Sequence, residues 1–143
     1  MAGETSTVAS TAARNFYQAP GAGLYACEYS LSFSTTQNEL NDVMEVGYLP
    51  PYAKVYAVGW HPTDMDTNVS PTVVHKVTIN AVDIVATLTG AQPGAASLTP
   101  VTPTSAATAT SSTAQKITMT TTTAAATAAA GTARLVLWCQ NAA

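Results

Sequence analysis

Charged side chains are scarce in this sequence of 143 residues. Asp, Glu, Lys and Arg together make up 9% of it, against about 25% in a typical globular domain. The basic residues are scattered along the chain and form no stripe that would neutralise phosphates, so we expect no nucleic-acid partner. A surface with so few charges must consist largely of Thr, Ser, Ala, Asn and Gln, which is typical of a subunit engaged in an assembly.

Long apolar runs and a leader-like segment are missing as well. Thr and Ser interrupt every apolar cluster, so no stretch of about 18 apolar residues is available to span a membrane, and we expect no membrane partner. The first residues carry an acid at Glu4 and lack a basic region followed by an apolar one, which predicts no secretory signal and synthesis in the cytoplasm. That reducing compartment favours buried free thiols for Cys27 and Cys139. The alternative is one disulfide joining the first and last strands.

Helical periodicity is nearly absent, and short alternating segments take its place. Turn signals separate seven or so predicted strands, at residues 24–33, 42–49, 53–60, 72–79, 83–88, 116–123 and 133–140. The Pro50-Pro51-Tyr52 turn is expected to join the second and third strands into a hairpin, because proline ends a strand and presets turn geometry. The third strand is apolar on both faces and is expected to be central and covered on both sides. This pattern predicts an all-β fold, an antiparallel β-sandwich or jelly roll with an extended N-terminal arm.

The chain divides into an arm and one domain. Residues 1–23 are rich in Ala, Thr and Ser, and only Phe16 and Tyr17 are large and apolar. We expect an arm that orders against a partner through these two aromatic anchors, with a frayed terminus as the alternative. Residues 24–143 form the predicted β-sandwich, with a Thr/Ala/Pro-rich insertion near residues 97–112.

Acidic residues cluster only in the loop that follows the third predicted strand. Asp64, Asp66 and Asn68 match the opening of a calcium-binding loop, in which alternate oxygens converge on a hard cation. The match then fails, because Val69 replaces the glycine of the sharp turn and His75 replaces the bidentate glutamate. We expect ordinary solvated turn acids and no metal. The two His and two Cys also lack the paired spacing of structural zinc sites.

No catalytic signature accompanies the histidines. His61 and His75 are candidate bases, but no strained serine turn is placed beside them, so we expect no enzyme and no cofactor. The tyrosines and tryptophans are candidates for a sugar-stacking platform, although core and interface packing explain them more simply. Tyr52 in the proline turn is expected to be exposed and to contact a partner.

One family resemblance is carried by three stretches of the chain. Residues 40–58 begin with LNDVMEVGYLP and contain AKV at 53–55, residues 64–68 read DMDTN, and residues 128–137 read AAAGTARLVL. These stretches resemble small phage virion proteins that share an LNDV segment ending in proline, an Asp-rich loop and a last strand after an AAGT segment. Such proteins are capsid decoration (cement) subunits and related head structural proteins with a β-sandwich core.

The resemblance implies a non-enzymatic virion protein on the capsid surface, made in the host cytoplasm. It would bind the shell of the major capsid protein and stabilise it, and a trimer or dimer would suit the lattice. Three alternatives remain at this point: a neck, tail or head-fibre component, a carbohydrate-binding module that uses exposed aromatics and the Asp64/Asp66 loop, and a small hydrolase.

Overall fold

The computed structural model describes residues 5–7, 14–15, 24–101 and 112–141, and for 5–7, 14–15 and 141 it describes the backbone only. Phe16 and Tyr17, the predicted arm anchors, lie outside the described residues. The described part contains ten strands and one 3₁₀ helix, Thr35–Asn38. The strands are β1 Thr5–Thr7, β2 Arg14–Asn15, β3 Tyr25–Phe33, β4 Val43–Leu49, β5 Ala53–Pro62, β6 Val74–Ile79, β7 Val82–Leu88, β8 Ser97–Pro100, β9 Gln115–Thr123 and β10 Gly131–Asn141.

The strands form two five-stranded sheets. Sheet A has the order β1-β4-β9-β6-β7, and sheet B has the order β2-β3-β10-β5-β8. Every pairing is antiparallel except that of β1 with β4. With β3 to β10 counted as eight strands, the sheets read 2-7-4-5 and 1-8-3-6, which is the double Greek key of a jelly roll. The predicted β-sandwich or jelly-roll fold is confirmed.

The core lies between the inner faces of the two sheets. Strand β3 shows why these residues form half-buried strands, since every second side chain from Tyr25 to Phe33 is buried. The same alternation buries Ile117 and Met119 of β9, and Leu135 and Leu137 of β10. These faces hold the sandwich together by removing apolar surface from water.

The predicted hairpin around residues 50–52 is wrong. Both strands exist, but β4 belongs to sheet A and β5 to sheet B, so they do not pair with each other. The Pro50-Pro51-Tyr52 turn instead carries the chain from one sheet to the other. Strand β5 finds its partners far away in sequence, in β10 and β8.

The expectation that β5 is covered on both faces is also wrong. Its register against β10 shifts between Trp138 and Cys139. This irregularity leaves Tyr56 exposed, and Val58 and Trp60 then point into the core. The other face of β5 forms part of the outer surface of sheet B, described below.

The connections gather at the two ends of the sandwich. The end that we call the loop end holds residues 34–42, 63–73, 89–96 and 124–130. The opposite turn end holds the short turns at residues 50–52 and 80–81. Strand β8 lies within the predicted insertion near 97–112, whereas residues 102–111 are outside the described part. No helix in the described segments is long and apolar enough to cross a membrane.

Candidate functional site

Tyr52 stands on a rigid turn at the turn end. The Ala53 N–H donates to the Pro50 carbonyl at 3.3 Å, and Tyr52 occupies the third turn position with φ of 61°. Pro51 in the second position and a positive φ in the third define a type II turn, where glycine or asparagine is the ordinary occupant. Tyr52 is 43% exposed, as its turn position predicts. The chain therefore tolerates a strained backbone where it presents an aromatic ring to solvent.

The outer face of sheet B carries an apolar groove that the sequence reading missed. The groove has a volume of about 650 Å³ and is lined by Ala26, Glu28, Gly59, His61, Ala96, Ser97, Leu98, Arg134, Val136 and Trp138. Leu98 is 65% exposed and Trp138 is 40% exposed. Gly59 forms part of the floor, where a Cβ would crowd the Cβ of Val136 at 3.3 Å. We call this surface the sheet B groove.

A sequence signal for the sheet B groove does exist. Arg134, Val136 and Trp138 alternate with the buried Leu135 and Leu137, so the tryptophan shares a face with an arginine. A charged residue on that face indicates solvent, and a large aromatic beside it indicates a contact surface. Residues from β3, β5 and β8 complete the groove, and no local pattern in the sequence brings them together.

The outer face of sheet A carries two ion pairs and the exposed Tyr48. Lys116 forms an ion pair with Glu45 at 3.0 Å, and Lys76 forms one with Asp83 at 3.2 Å. The hydrogen bond from Lys116 lowers the pKa of the Glu45 carboxyl and raises that of the Lys116 ammonium. Exposed pairs of this kind contribute little to stability. Both ion pairs are accessible to solvent.

Asp66 is the polar centre of the loop end. Its carboxylate accepts backbone N–H bonds from Thr72 at 2.7 Å, Val73 at 3.1 Å, Ala126 at 2.9 Å and Thr127 at 2.9 Å. Burial by itself raises the pKa of this carboxyl, but the backbone donors outweigh it and lower the pKa to about 2. Asp66 is thus an anionic clamp between the segments 63–73 and 124–130.

The expectation of solvated turn acids is wrong for Asp66, which is buried, and right for Asp64, which is exposed. The other oxygens of the loop also bind backbone: Asp64 accepts from the N–H of residue 66 at 3.0 Å, and Asn68 accepts from Ser70 at 2.9 Å. In a calcium loop these oxygens would converge on one point. Here each closes its own turn, and the described residues contain no group of three His, Cys, Asp or Glu side chains suited to a metal.

The two histidines lie in different sheets. His61 is exposed on the sheet B groove, whereas His75 is fully buried on β6. The His75 ring lies 5.6 Å from that of Phe33 and 5.8 Å from that of Trp60, and its Nε2 donates to Oδ1 of Asn38 at 3.0 Å. Burial lowers the pKa of His75 to about 4. A histidine enclosed in this way is a core residue with no access to substrate.

Cys27 and Cys139 are both buried and form no disulfide, as expected for the first of the two alternatives. They lie on neighbouring strands but not opposite each other, because Cys139 pairs with Tyr25, and Cys27 pairs with Leu137. Diagonal positions in a sheet are about 7–8 Å apart, beyond the usual Cα separation of a disulfide. The hydrogen bond to Cys27, together with burial, raises the pKa of the Cys139 thiol. These thiols are packing groups.

Comparison with known proteins gives matches in structure only. No protein-family profile matches the chain, and no curated protein sequence matches it. A chain from the capsid of Ralstonia phage GP4 superimposes with a TM-score of 0.72 at 20% identity, over 90% of this chain and 92% of that one. A chain from the cyanophage Pam1 capsid asymmetric unit superimposes with a TM-score of 0.64 at 24% identity, over 92% of this chain and 96% of that one. At these identities the likeness establishes a shared jelly-roll fold along nearly the whole chain.

Proposed function

We propose that this chain is a structural protein of a phage virion and, within the virion, a decoration or cement subunit. It binds the outside of the shell built by the major capsid protein and stabilises that shell. The observation that carries the proposal is the match of nearly the whole jelly roll to two chains of phage capsid structures. The resemblance of residues 40–58, 64–68 and 128–137 to phage decoration proteins points the same way.

The disposition of the polar residues supports a role without catalysis. Asp66, the acid with the strongest set of donors, binds its own backbone, and His75 is sealed in the core. The exposed aromatics also argue against a glycan-binding platform. Tyr48 pairs with Lys116 on the outer face of sheet A, whereas Trp138 lies on the outer face of sheet B. A sugar ring cannot stack on both.

The mechanism that we propose is stabilisation by distributed burial. Each copy would bridge neighbouring capsid subunits through contacts that are weak singly, and binding to the assembled shell alone stabilises it by mass action. Many copies on one lattice multiply the effect, because every bound copy restrains the same subunits. The low charge of the chain suits surfaces that become covered in an assembly. Tyr52 is the proposed contact residue at the turn end.

The test is co-sedimentation of the purified protein with capsid shells that lack it, followed by survival of the shells on heating. The proposal expects saturable binding and shells that break at a higher temperature. Tyr52→Gly should weaken binding by about tenfold, the loss of one aromatic contact worth about 1.4 kcal/mol. Ala81→Gly is the matched control, since Ala81 has φ of 64° in the other turn at the same end. Absence of binding to intact shells would overturn the cement role and favour a neck, tail or head-fibre position.

A further inference from the structure

We infer that the protein binds internal water at a site beneath the loop end. The site is lined by four buried polar side chains, those of Asn38, Asp42, Trp60 and His75. This inference goes beyond the proposed function, because it concerns the protein alone and needs neither a shell nor a partner. It depends on the burial of these side chains, on their place in the fold and on the balance of donors and acceptors among them.

Each of the four side chains has a buried polar atom without a hydrogen-bond partner among the described residues. These atoms are Nδ2 of Asn38, Oδ1 of Asp42, Nε1 of Trp60 and Nδ1 of His75. Trp60 and His75 are 0% exposed, Asn38 is 1% exposed and Asp42 is 6% exposed. Buried polar atoms in folded proteins are nearly always hydrogen-bonded to protein or to ordered water, because an unpaired one is costly. The four atoms therefore call for a ligand.

The fold brings the four side chains to one place. Asp42 and His75 lie on either side of the buried Thr121, whose N–H donates to the Asp42 carbonyl at 2.9 Å and which pairs with His75 in the register. Asn38 is joined to His75 by the hydrogen bond of 3.0 Å. From the opposite sheet, the ring of Trp60 approaches that of His75, with 5.8 Å between the centroids. The cluster spans both sheets where the core meets the loop end.

The balance of donors and acceptors selects the ligand. Because Nε2 of His75 donates to Asn38, the neutral ring presents Nδ1 as an acceptor. The site thus offers two N–H donors, from Asn38 and Trp60, and two acceptors, Nδ1 of His75 and Oδ1 of Asp42. An anion would be repelled by both acceptors, and a hard cation would meet one carboxylate in place of the roughly six oxygens that it prefers. Water donates and accepts, so it alone satisfies both kinds of group.

Bound water at this position links the loop end to the core. The Asn38 carbonyl accepts from the N–H of Ala125 at 3.0 Å, so Asn38 already joins the segments 34–42 and 124–130. The edge of the Trp60 indole faces a third segment, since a Cβ at Gly90 would lie 3.0 Å from Cδ1, the carbon bonded to Nε1. Hydrogen bonds through water would tie these segments to β5 and β6.

Nuclear magnetic resonance of the wild-type protein at neutral pH tests the site. The chain has two tryptophans and therefore two indole N–H signals, and Trp138→Phe leaves only that of Trp60. We expect the Trp60 indole proton to show a cross-peak with water of opposite sign in NOESY and ROESY spectra. That difference in sign marks a water that tumbles with the protein, whereas exchange of the proton with solvent gives the same sign in both.

A matched pair of variants assigns the water to this cluster. His75→Phe keeps an aromatic ring but removes the acceptor Nδ1, so the water cross-peak of the Trp60 indole should be lost. His61→Phe makes the same change at the exposed histidine and should leave the cross-peak intact. Far-ultraviolet circular dichroism checks that both variants fold. If His75→Phe does not fold, a crystal structure of the wild-type protein that resolves ordered water replaces it, and water density between Trp60 and His75 is the expected result.

Three results would overturn the inference. The first is a Trp60 indole proton that contacts only protein, such as the ring of Phe33, since its N–H then donates to an aromatic face. The second is a water cross-peak that persists in His75→Phe, and the third is a crystal structure without water beside these side chains. None of these results bears on co-sedimentation with shells, so a failure of the water site is distinguishable from a failure of the cement role.

Discussion

Four non-glycine residues of the described part have a positive backbone φ, and two of them, Tyr52 and Ala81, are neither asparagine nor similar to each other in side chain. Tyr52 has φ of 61° and Ala81 has φ of 64°, and both lie at the turn end. For an L-residue this conformation costs roughly 1–2 kcal/mol, which glycine avoids at the expense of a more flexible unfolded chain. A methyl group at residue 81 is a side chain of little use to a partner. The aromatic ring at residue 52, by contrast, is the contact proposed for a partner.

Replacing either residue by glycine should stabilise the fold. We expect Tyr52→Gly and Ala81→Gly each to raise the free energy of unfolding by about 0.5–1 kcal/mol, since the relieved strain exceeds the added entropy of the unfolded chain. Urea denaturation measures both. A loss of stability for Tyr52→Gly with a gain for Ala81→Gly would mean that the Tyr52 ring packs against the protein and is not held for a partner.

His75 makes the stability of the protein depend on pH. Its pKa is about 4 in the folded protein, against about 6.5 in an unfolded chain, so the unfolded state binds more protons between these values. His75 should therefore lower the free energy of unfolding by about 3 kcal/mol as the pH falls from 6.5 to 4, and the further loss below pH 4 belongs to groups such as Asp66. Urea denaturation at a series of pH values gives the slope.

Two variants attribute this slope to His75. His75→Leu removes the buried imidazole and should flatten the profile between pH 6.5 and 4, whatever its effect on stability at neutral pH. His61→Gln removes the exposed imidazole of the sheet B groove and should keep the wild-type slope. A profile that His75→Leu leaves unchanged would contradict the assignment.

At the scale of elements, Asp66 joins loops that are far apart in the chain. It ties the start of β6 to the segment between β9 and β10, where the backbone also closes through Thr67 N–H to the Thr127 carbonyl at 3.1 Å. Charged acceptors make stronger hydrogen bonds than neutral ones, and a buried donor left unpaired is costly. The stability of the loop end therefore depends largely on the Asp66 carboxylate.

Asp66→Asn should lower the free energy of unfolding by about 3 kcal/mol or more. The amide keeps one acceptor oxygen, but its NH₂ group then faces N–H donors that no longer have a partner. Asp64→Asn is the matched control in the same loop, because Asp64 is exposed and closes a single turn; we expect a cost below about 1 kcal/mol. Equal effects of the two substitutions, measured by urea denaturation, would refute the clamp.

The same loop should not respond to calcium. Because the Asp66 carboxylate is occupied by backbone donors, a cation would have to displace them before it could bind. We expect the thermal midpoint of the protein to be the same in millimolar calcium chloride and in EDTA. If calcium raised the thermal midpoint of the wild-type protein but not that of Asp66→Asn, residues 64–68 would form a calcium loop after all.

At the scale of the whole molecule, low charge sets how binding responds to salt. With 9% charged residues and a net charge of −3, the chain offers few ion pairs to a partner, so burial of apolar and small polar surface must supply most of the affinity. Raising the salt from about 0.05 to about 0.5 M should change the affinity for shells by less than about threefold. A fall of tenfold or more in co-sedimentation would show that charge steers the binding.

The sequence alone determines the strands and their inner faces. Alternation has a period of two residues, so the buried side of β3, β9 and β10 can be read from a few neighbours in the chain. The same local information predicts the exposure of Tyr52, since a proline turn that joins two strands lies at the surface.

Only the tertiary structure decided which strands pair and what their outer faces meet. β4 and β5 are adjacent in sequence yet belong to different sheets, where β4 pairs with β9 and β5 pairs with β10 and β8. Asp66 is buried by donors at residues 126 and 127, and the sheet B groove combines β3, β5, β8 and β10. These features depend on contacts between residues far apart in the chain. The stability of such contacts is set by packing across the whole sandwich, which no local sequence pattern reports.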